Sequence, residues 1–332
     1  MMNFCTYFDS YYIAKGLSLY MSLEKVTKDF HLYVMAFDRD CYEKLKRLNL
    51  EHMSVELLAD FETPALLAVK PTRTKGEYCW TCGPSVIYHF LTENNLDSIT
   101  YLDSDLMFMS DPAIIFKEAG DASVVITEQG LGEKEARSYG KYCVQYLTFR
   151  NDDNGLGALS WWKDSCIEWC FQKMEKTRWA DQKYLDEFPK RWKNVYVVDN
   201  FGVGIAPWNM HKYKYLENHL IYKKRSYPYV FFHMHGVKIE VDNNTLYLRN
   251  NHFELNNDVI KQFYQPYADL VKEALNCYLN YTIEHAFVHD MPYIQKINYR
   301  FRAIVRNNRL VQWIWYECLK KRGGHGERGT KL

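Results

Sequence analysis

Ile99-Thr100-Tyr101-Leu102-Asp103-Ser104-Asp105-Leu106 is the stretch on which the reading of the fold turns. An apolar, β-prone run from Ser98 ends abruptly in two carboxylates one residue apart. Side chains in an extended strand alternate faces, so Asp103 and Asp105 share a face if the strand continues. Like charges on one face repel unless a cation sits between them. Hard divalent cations take oxygen ligands and keep positions open for phosphate oxygens. The alternative is a surface turn with two solvated acids. The triplet alone does not decide between these; its place after an apolar strand in an α/β pattern favours ligation.

That pattern extends to both sides. Residues 3–8, 30–37, 53–58 and 98–102 read as strands. Residues 12–23, 40–48 and 81–94 read as intervening helices, the last with Pro84 near its start. Alternation of this kind marks an α/β fold with a mainly parallel sheet, whose ligands sit beyond the carboxyl ends of the strands. Asp9, Asp38 and Asp103 all fall at such ends. Further strands are expected at 124–127, 146–149, 195–198 and 229–233, and helices at 159–175 and 183–188. From about residue 257 the pattern turns helical, over 259–279 and 294–319. The expected organisation is a Rossmann-like catalytic domain over 1–256, a basic helical extension over 257–322, and a disordered tail over 323–332.

The formal net charge of +1 hides an asymmetry. Residues 293–332 hold ten Lys/Arg against two acids, so the remainder is net acidic. An acidic body excludes nucleic acid as the expected partner. Basic residues beside Trp313, Trp315 and Phe301 in 294–322 fit either an interfacial helix on anionic lipid or a helix packed on the body. No basic leader precedes the first apolar run, Asp9 interrupts it, and no run of about 18 apolar residues exists. A cytoplasmic chain is expected, with peripheral contact at the inner membrane face through 294–322. Nine scattered cysteines fit free thiols. The pairs Cys79/Cys82 and Cys166/Cys170 read as structural.

A second stretch, Phe231-Phe232-His233-Met234-His235-Gly236-Val237-Lys238, ends an aromatic strand in two imidazoles, a glycine and a lysine. Imidazole completes a carboxylate metal site, while glycine and lysine suit a phosphate.

Several segments together resemble a family: the GT-A fold glycosyltransferases of the family 8 type, retaining galactosyl- and glucosyltransferases, and their bacterial cell-surface polysaccharide relatives. These are Phe4-Cys5-Thr6-Tyr7, Leu102-Asp103-Ser104-Asp105, Phe149-Arg150-Asn151-Asp152 and Trp161-Trp162. The others are Ala180-Asp181-Gln182-Lys183-Tyr184-Leu185, Ile205-Ala206-Pro207-Trp208-Asn209 and His233-Met234-His235-Gly236. The resemblance implies a metal-dependent hexosyltransferase moving sugar from a UDP-sugar to a glycan or lipid-linked acceptor with retention, in polysaccharide or lipopolysaccharide synthesis. It implies Mn²⁺, or Mg²⁺, on Asp103, Asp105 and His233. It assigns Thr6, Tyr7, Asp103, Ser104, Asp105, Gly236 and Lys238 to the donor nucleotide, and Asp181 and Gln182 to catalysis at the sugar. It also suggests a donor-contacting basic residue near Lys70 and Arg73, for which a solvated loop is the alternative.

This chain departs from the family in one place. Relatives carry Asn-Val-Gly where this chain has Cys143-Val144-Gln145. That asparagine helps orient sugars, so a catalytically silent nucleotide-sugar-binding protein is one rival reading. A nucleotidyltransferase is another, but it calls for a Gly-rich basic loop after the first strand. Tyr7-Phe8-Asp9-Ser10-Tyr11-Tyr12 stands there instead.

Overall fold

The structure is a computed structural model that describes residues 1–289. The helix expected over 294–319, the basic segment over 294–322 and the 323–332 tail lie outside the described residues.

The strands are β1 (Met2–Phe8), β2 (Phe30–Ala36), β3 (Met53–Leu57), β4 (Ser98–Leu102), β5 (Leu106–Phe108), β6 (Val124–Glu128), β7 (Tyr142–Arg150) and β8 (Val195–Val197). They continue with β9 (Lys214–Leu216), β10 (His219–Tyr222), β11 (Arg225–Pro228), β12 (Phe231–His233), β13 (Val237–Asp242), β14 (Thr245–Asn250) and β15 (His285–His289). Seven of them form the central sheet in the order β3-β2-β1-β4-β7-β6-β8. Only β7 runs against its neighbours, so this is the mainly parallel sheet that the strand–helix alternation predicts.

Period-two alternation along the strands divides the interior. Phe4, Phe8 and Val34 belong to one apolar cluster, while Cys5 and Met35 belong to the other. The Ile13–Val26 helix covers the first face, and the Gln265–Tyr278 helix packs onto it through Tyr267, Val271 and Ala274. The Lys75–Glu93 and Asp153–Glu168 helices pack together on the second face.

Two helix boundaries differ from the sequence expectation, and capping explains both. The helix expected from residue 81 begins at Lys75, because Thr74 and Glu77 form a capping box, so Pro84 is interior rather than near the start. The helix expected over 159–175 runs Asp153–Glu168, started by the Asp152 carboxylate accepting from the Gly155 N–H. After Trp169 the chain follows an irregular path back to Asp181.

Beyond β8 the elements are small. β9–β11 form a meander, β12 pairs with β5, and β13–β15 form a third small sheet. The β5–β12 pair matters most, because its register sets His233 opposite Leu106, next to the two aspartates.

Candidate metal centre and cleft

β4 carries Tyr101 and Leu102 to the edge of the core and releases the chain into the Asp103–Asp105 turn, closed by the Leu106 N–H donating to the Asp103 carbonyl at 3.2 Å. β12 arrives alongside, and the Met234 N–H donates to the Asp105 carbonyl at 2.8 Å. Backbone bonds thus hold the aspartates and His233 in one place although the chain separates them widely.

The carboxylates of Asp103 and Asp105 and the imidazole of His233 offer ligand atoms within 4.8 Å of one another. His233 Nε2 is 3.1 Å from Asp105 Oδ1 and 3.6 Å from Asp103 Oδ2. Tyr101 donates its hydroxyl to Asp103 Oδ1 at 2.8 Å. His233 Nδ1 meets Gln145 Oε1 at 2.8 Å. Two carboxylates and one imidazole suit Mn²⁺ or Mg²⁺, and three protein ligands leave coordination positions for diphosphate oxygens. The donor set therefore fits the cation that the resemblance implies.

The electrostatics agree. Burial pushes the Asp103 carboxyl above its ordinary value, an effect that His233 opposes. Burial acts on Asp105 too, but His233 and Lys15 outweigh it and hold that carboxyl well below the usual range. Burial disfavours charge on His233, yet the adjacent Asp105 lifts it to about 10. Without a metal, a proton on His233 balances the paired carboxylates.

The cluster opens into a cleft of about 720 Å³. Its lining brings together Asp103, His233, Cys143, Trp179, Asp181 and Gln182. Burial, then the nearby Asp103 charge, raises Asp181 to about 7. Gln182 donates from Nε2 to the Tyr139 carbonyl at 3.0 Å and accepts at Oε1 from Gln129 Nε2 at 3.4 Å. The Gln129 and Gly130 carbonyls accept from Trp208 and Lys212, which ties the loop over the cleft to the segment leading into β9.

The remaining predicted residues are dispersed around this centre. Tyr7 lines the cleft, but Phe37 just after β2 and Tyr101 on β4 stack on it, each at 5.2 Å between centroids. Thr6 is fully buried on β1, and Ser104 is buried in the turn. Gly236 has φ +74, and a Cβ there would lie 2.9 Å from the His252 ring, so the turn itself demands glycine. Lys238 is exposed on β13, and neither it nor Gly236 lines the cleft.

The two other strand-end acids do structural work. Asp9 pairs with Lys75 at 2.5 Å, and Asp38 caps the Arg39–Leu48 helix. Lys70 and Arg73, the basic residues expected near the donor, are not among the residues lining the cleft. Lys70 pairs with Glu62 at 2.6 Å, and Arg73 lies over the Phe171 ring and donates to the Ile167 carbonyl at 3.1 Å. Gln145 is not part of the cleft lining, and its side chain meets His233.

Two residues escape the sequence reading. Lys15, buried on the Ile13–Val26 helix, has Nζ 3.8 Å from Asp105 Oδ2. Its signal was a lone lysine among apolar residues. Lys183 is buried with Nζ donating to the carbonyls of Arg137, Ser138, Glu175 and Lys176 at 2.7–3.4 Å.

No family model matches the chain. It is 31% identical over 248 residues to the uncharacterized protein YfnF of Bacillus subtilis, covering 71% of this chain and 82% of YfnF. It is 30% identical over 310 residues to YfnD of the same organism, covering 88% of this chain and 98% of YfnD. Among solved structures it is similar to the galactosyltransferase LgtC in complex with donor and acceptor sugar analogs, with 11% identity, TM-score 0.48, and 81% and 95% of the two chains covered. It is also similar to apo GlyE of Streptococcus pneumoniae, a glycosyltransferase, with 14% identity, TM-score 0.48, and 86% and 64% covered.

Proposed function

The chain belongs to one family with YfnF and YfnD, and on that premise we propose that it is a metal-dependent glycosyltransferase using a nucleoside-diphosphate sugar, with a UDP-sugar as the favoured donor. One observation carries this reading: Asp103, Asp105 and His233 converge beside a cleft that also holds Asp181 and Gln182.

Asp103, Asp105 and His233 would hold Mn²⁺ or Mg²⁺. A divalent cation there neutralises charge on a leaving diphosphate. Asp181, which lines the same cleft, would face with its carboxylate the positive charge that develops at the anomeric carbon. The Gln182 amide, fixed by Tyr139 and Gln129, orients polar groups of the sugar. The bond from anomeric carbon to diphosphate oxygen breaks, a bond to the acceptor hydroxyl oxygen forms, and the hydroxyl proton passes to the departing phosphate. Attack on the face that the diphosphate leaves retains configuration.

The rival reading of a silent binding protein rested on Cys143-Val144-Gln145. The contact between Gln145 and His233 gives one residue of that departure a place beside the metal centre, which favours the enzyme reading. The acceptor is a glycan or lipid-linked glycan; among the described residues, no helix is long and apolar enough to cross a membrane.

UDP release with Mn²⁺ across a panel of UDP-sugars tests the proposal. Turnover is expected with at least one donor, lost in Asp103→Asn with the fold intact. Near-normal turnover in that variant, or no nucleotide binding by the wild type, overturns the reading.

A further inference from the structure

Gln145 lies on β7 and is fully buried. Its backbone carbonyl accepts from the Asp103 N–H at 3.0 Å, and its side-chain Oε1 is 2.8 Å from His233 Nδ1. One residue thus grips two of the three proposed ligands, one through the main chain and one through the side chain.

Ring chemistry decides which way the amide points. His233 Nε2 faces Asp105 and Asp103. When the Nε2 lone pair is directed at a cation, the ring hydrogen sits on Nδ1. Its partner must accept, and only the amide oxygen does so. The amide Nε2 is then buried without a hydrogen-bond partner among the described residues. It fits there because residue 204 is glycine: a Cβ at Gly204 would lie 2.5 Å from it. An unpaired buried N–H costs stability, so packing alone favours an apolar side chain at 145. What the amide supplies in return is the acceptor for His233.

We infer that Gln145 is a positioning residue that keeps Nδ1 of His233 protonated and its Nε2 turned toward the two aspartates, and so sets the affinity of the centre for a divalent cation. Outer partners of ligating histidines act in this way. The inference rests on the metal reading above and adds the residue that tunes it.

The test compares the wild type with Gln145→Leu, which keeps the volume and removes the acceptor, and Gln145→Glu, which keeps an acceptor oxygen. Mn²⁺ binding is followed by electron paramagnetic resonance titration, with no substrate present. Gln145→Leu should bind about 10- to 100-fold more weakly than wild type, and Gln145→Glu should bind within a few-fold of it. Histidine ¹⁵N resonances of the Zn²⁺-loaded wild type should show a slowly exchanging Nδ1 hydrogen on His233. If Gln145→Leu does not fold, Gln145→Asn, which withdraws the amide by one methylene, takes its place with the same expected loss. Wild-type affinity in the acceptor-less variant overturns this inference and leaves the metal site standing. Absence of Mn²⁺ binding in the wild type overturns the metal reading and this inference with it.

Discussion

Trp162 donates its indole N–H to the backbone carbonyl of Asp181 at 2.9 Å, from a fully buried ring packed against Phe149 and Phe188. A helix on the second face of the sheet therefore fixes where a cleft carboxylate begins. Trp162→Phe removes the donor, strands a buried carbonyl and leaves a void. A loss of about 2–4 kcal/mol is expected, read as a lower denaturation midpoint. An unchanged midpoint would show that Asp181 is held by other contacts.

Asp181 should make stability depend on pH in the metal-free protein. Its folded-state value of about 7 lies above the ordinary 3.8, so the folded state keeps a proton that the unfolded state has already released. Stability from this group therefore falls as pH rises through that window and levels off above about 7. Asp181→Asn should flatten the slope and melt a few degrees higher than wild type at about pH 8 in chelator. Parallel melting profiles for the two proteins would contradict this.

Lys183 gathers four carbonyls from two separate segments, 137–138 and 175–176. Lys183→Met keeps most of the length but leaves those acceptors unmatched. Stability should fall by about 2 kcal/mol, and hydrogen exchange should rise over residues 137–139 and 175–182 more than in β1 or β4. A uniform rise across the sheet would mean that the lysine supports the whole fold rather than the cleft wall.

Asn250 is fully buried and completely paired. Its Nδ2 donates to the His235 carbonyl at 2.8 Å and to the Tyr264 hydroxyl at 3.0 Å, and its Oδ1 accepts from the N–H groups of His252 and Phe253. It joins the turn after His233 to the end of β14 and the helical segment beyond. Asn250→Ala should cost about 3 kcal/mol by urea denaturation, and it should weaken Mn²⁺ binding if the His233 turn shifts with it.

Much was written locally. The apolar run into Asp103-Ser104-Asp105, the strand–helix alternation, and the aromatic strand ending at His233 could each be read from side-chain period and residue type, and each element stands near its expected bounds. Apolar spacing placed two helix starts too late, because the Thr74 and Asp152 caps begin those helices several residues earlier. The short strand Leu106–Phe108 carried too little sequence to announce itself, because its pairing partner lies in β12.

By itself the sequence singled out candidates for the chemistry: an acid pair after one strand and a histidine ending another, with the Asp181-Gln182 pair between them added by the resemblance. The first two are properties of short segments, set by alternation and by residue type. Only the tertiary structure decided which groups meet. It brought His233 within 3.1 Å of Asp105, sent Lys70 and Arg73 away from the cleft, set Lys15 beside the acids, and turned Gln145 toward the imidazole. The reason is that strand order and register are long-range choices, made by which faces bury together, and a one-dimensional pattern does not contain them.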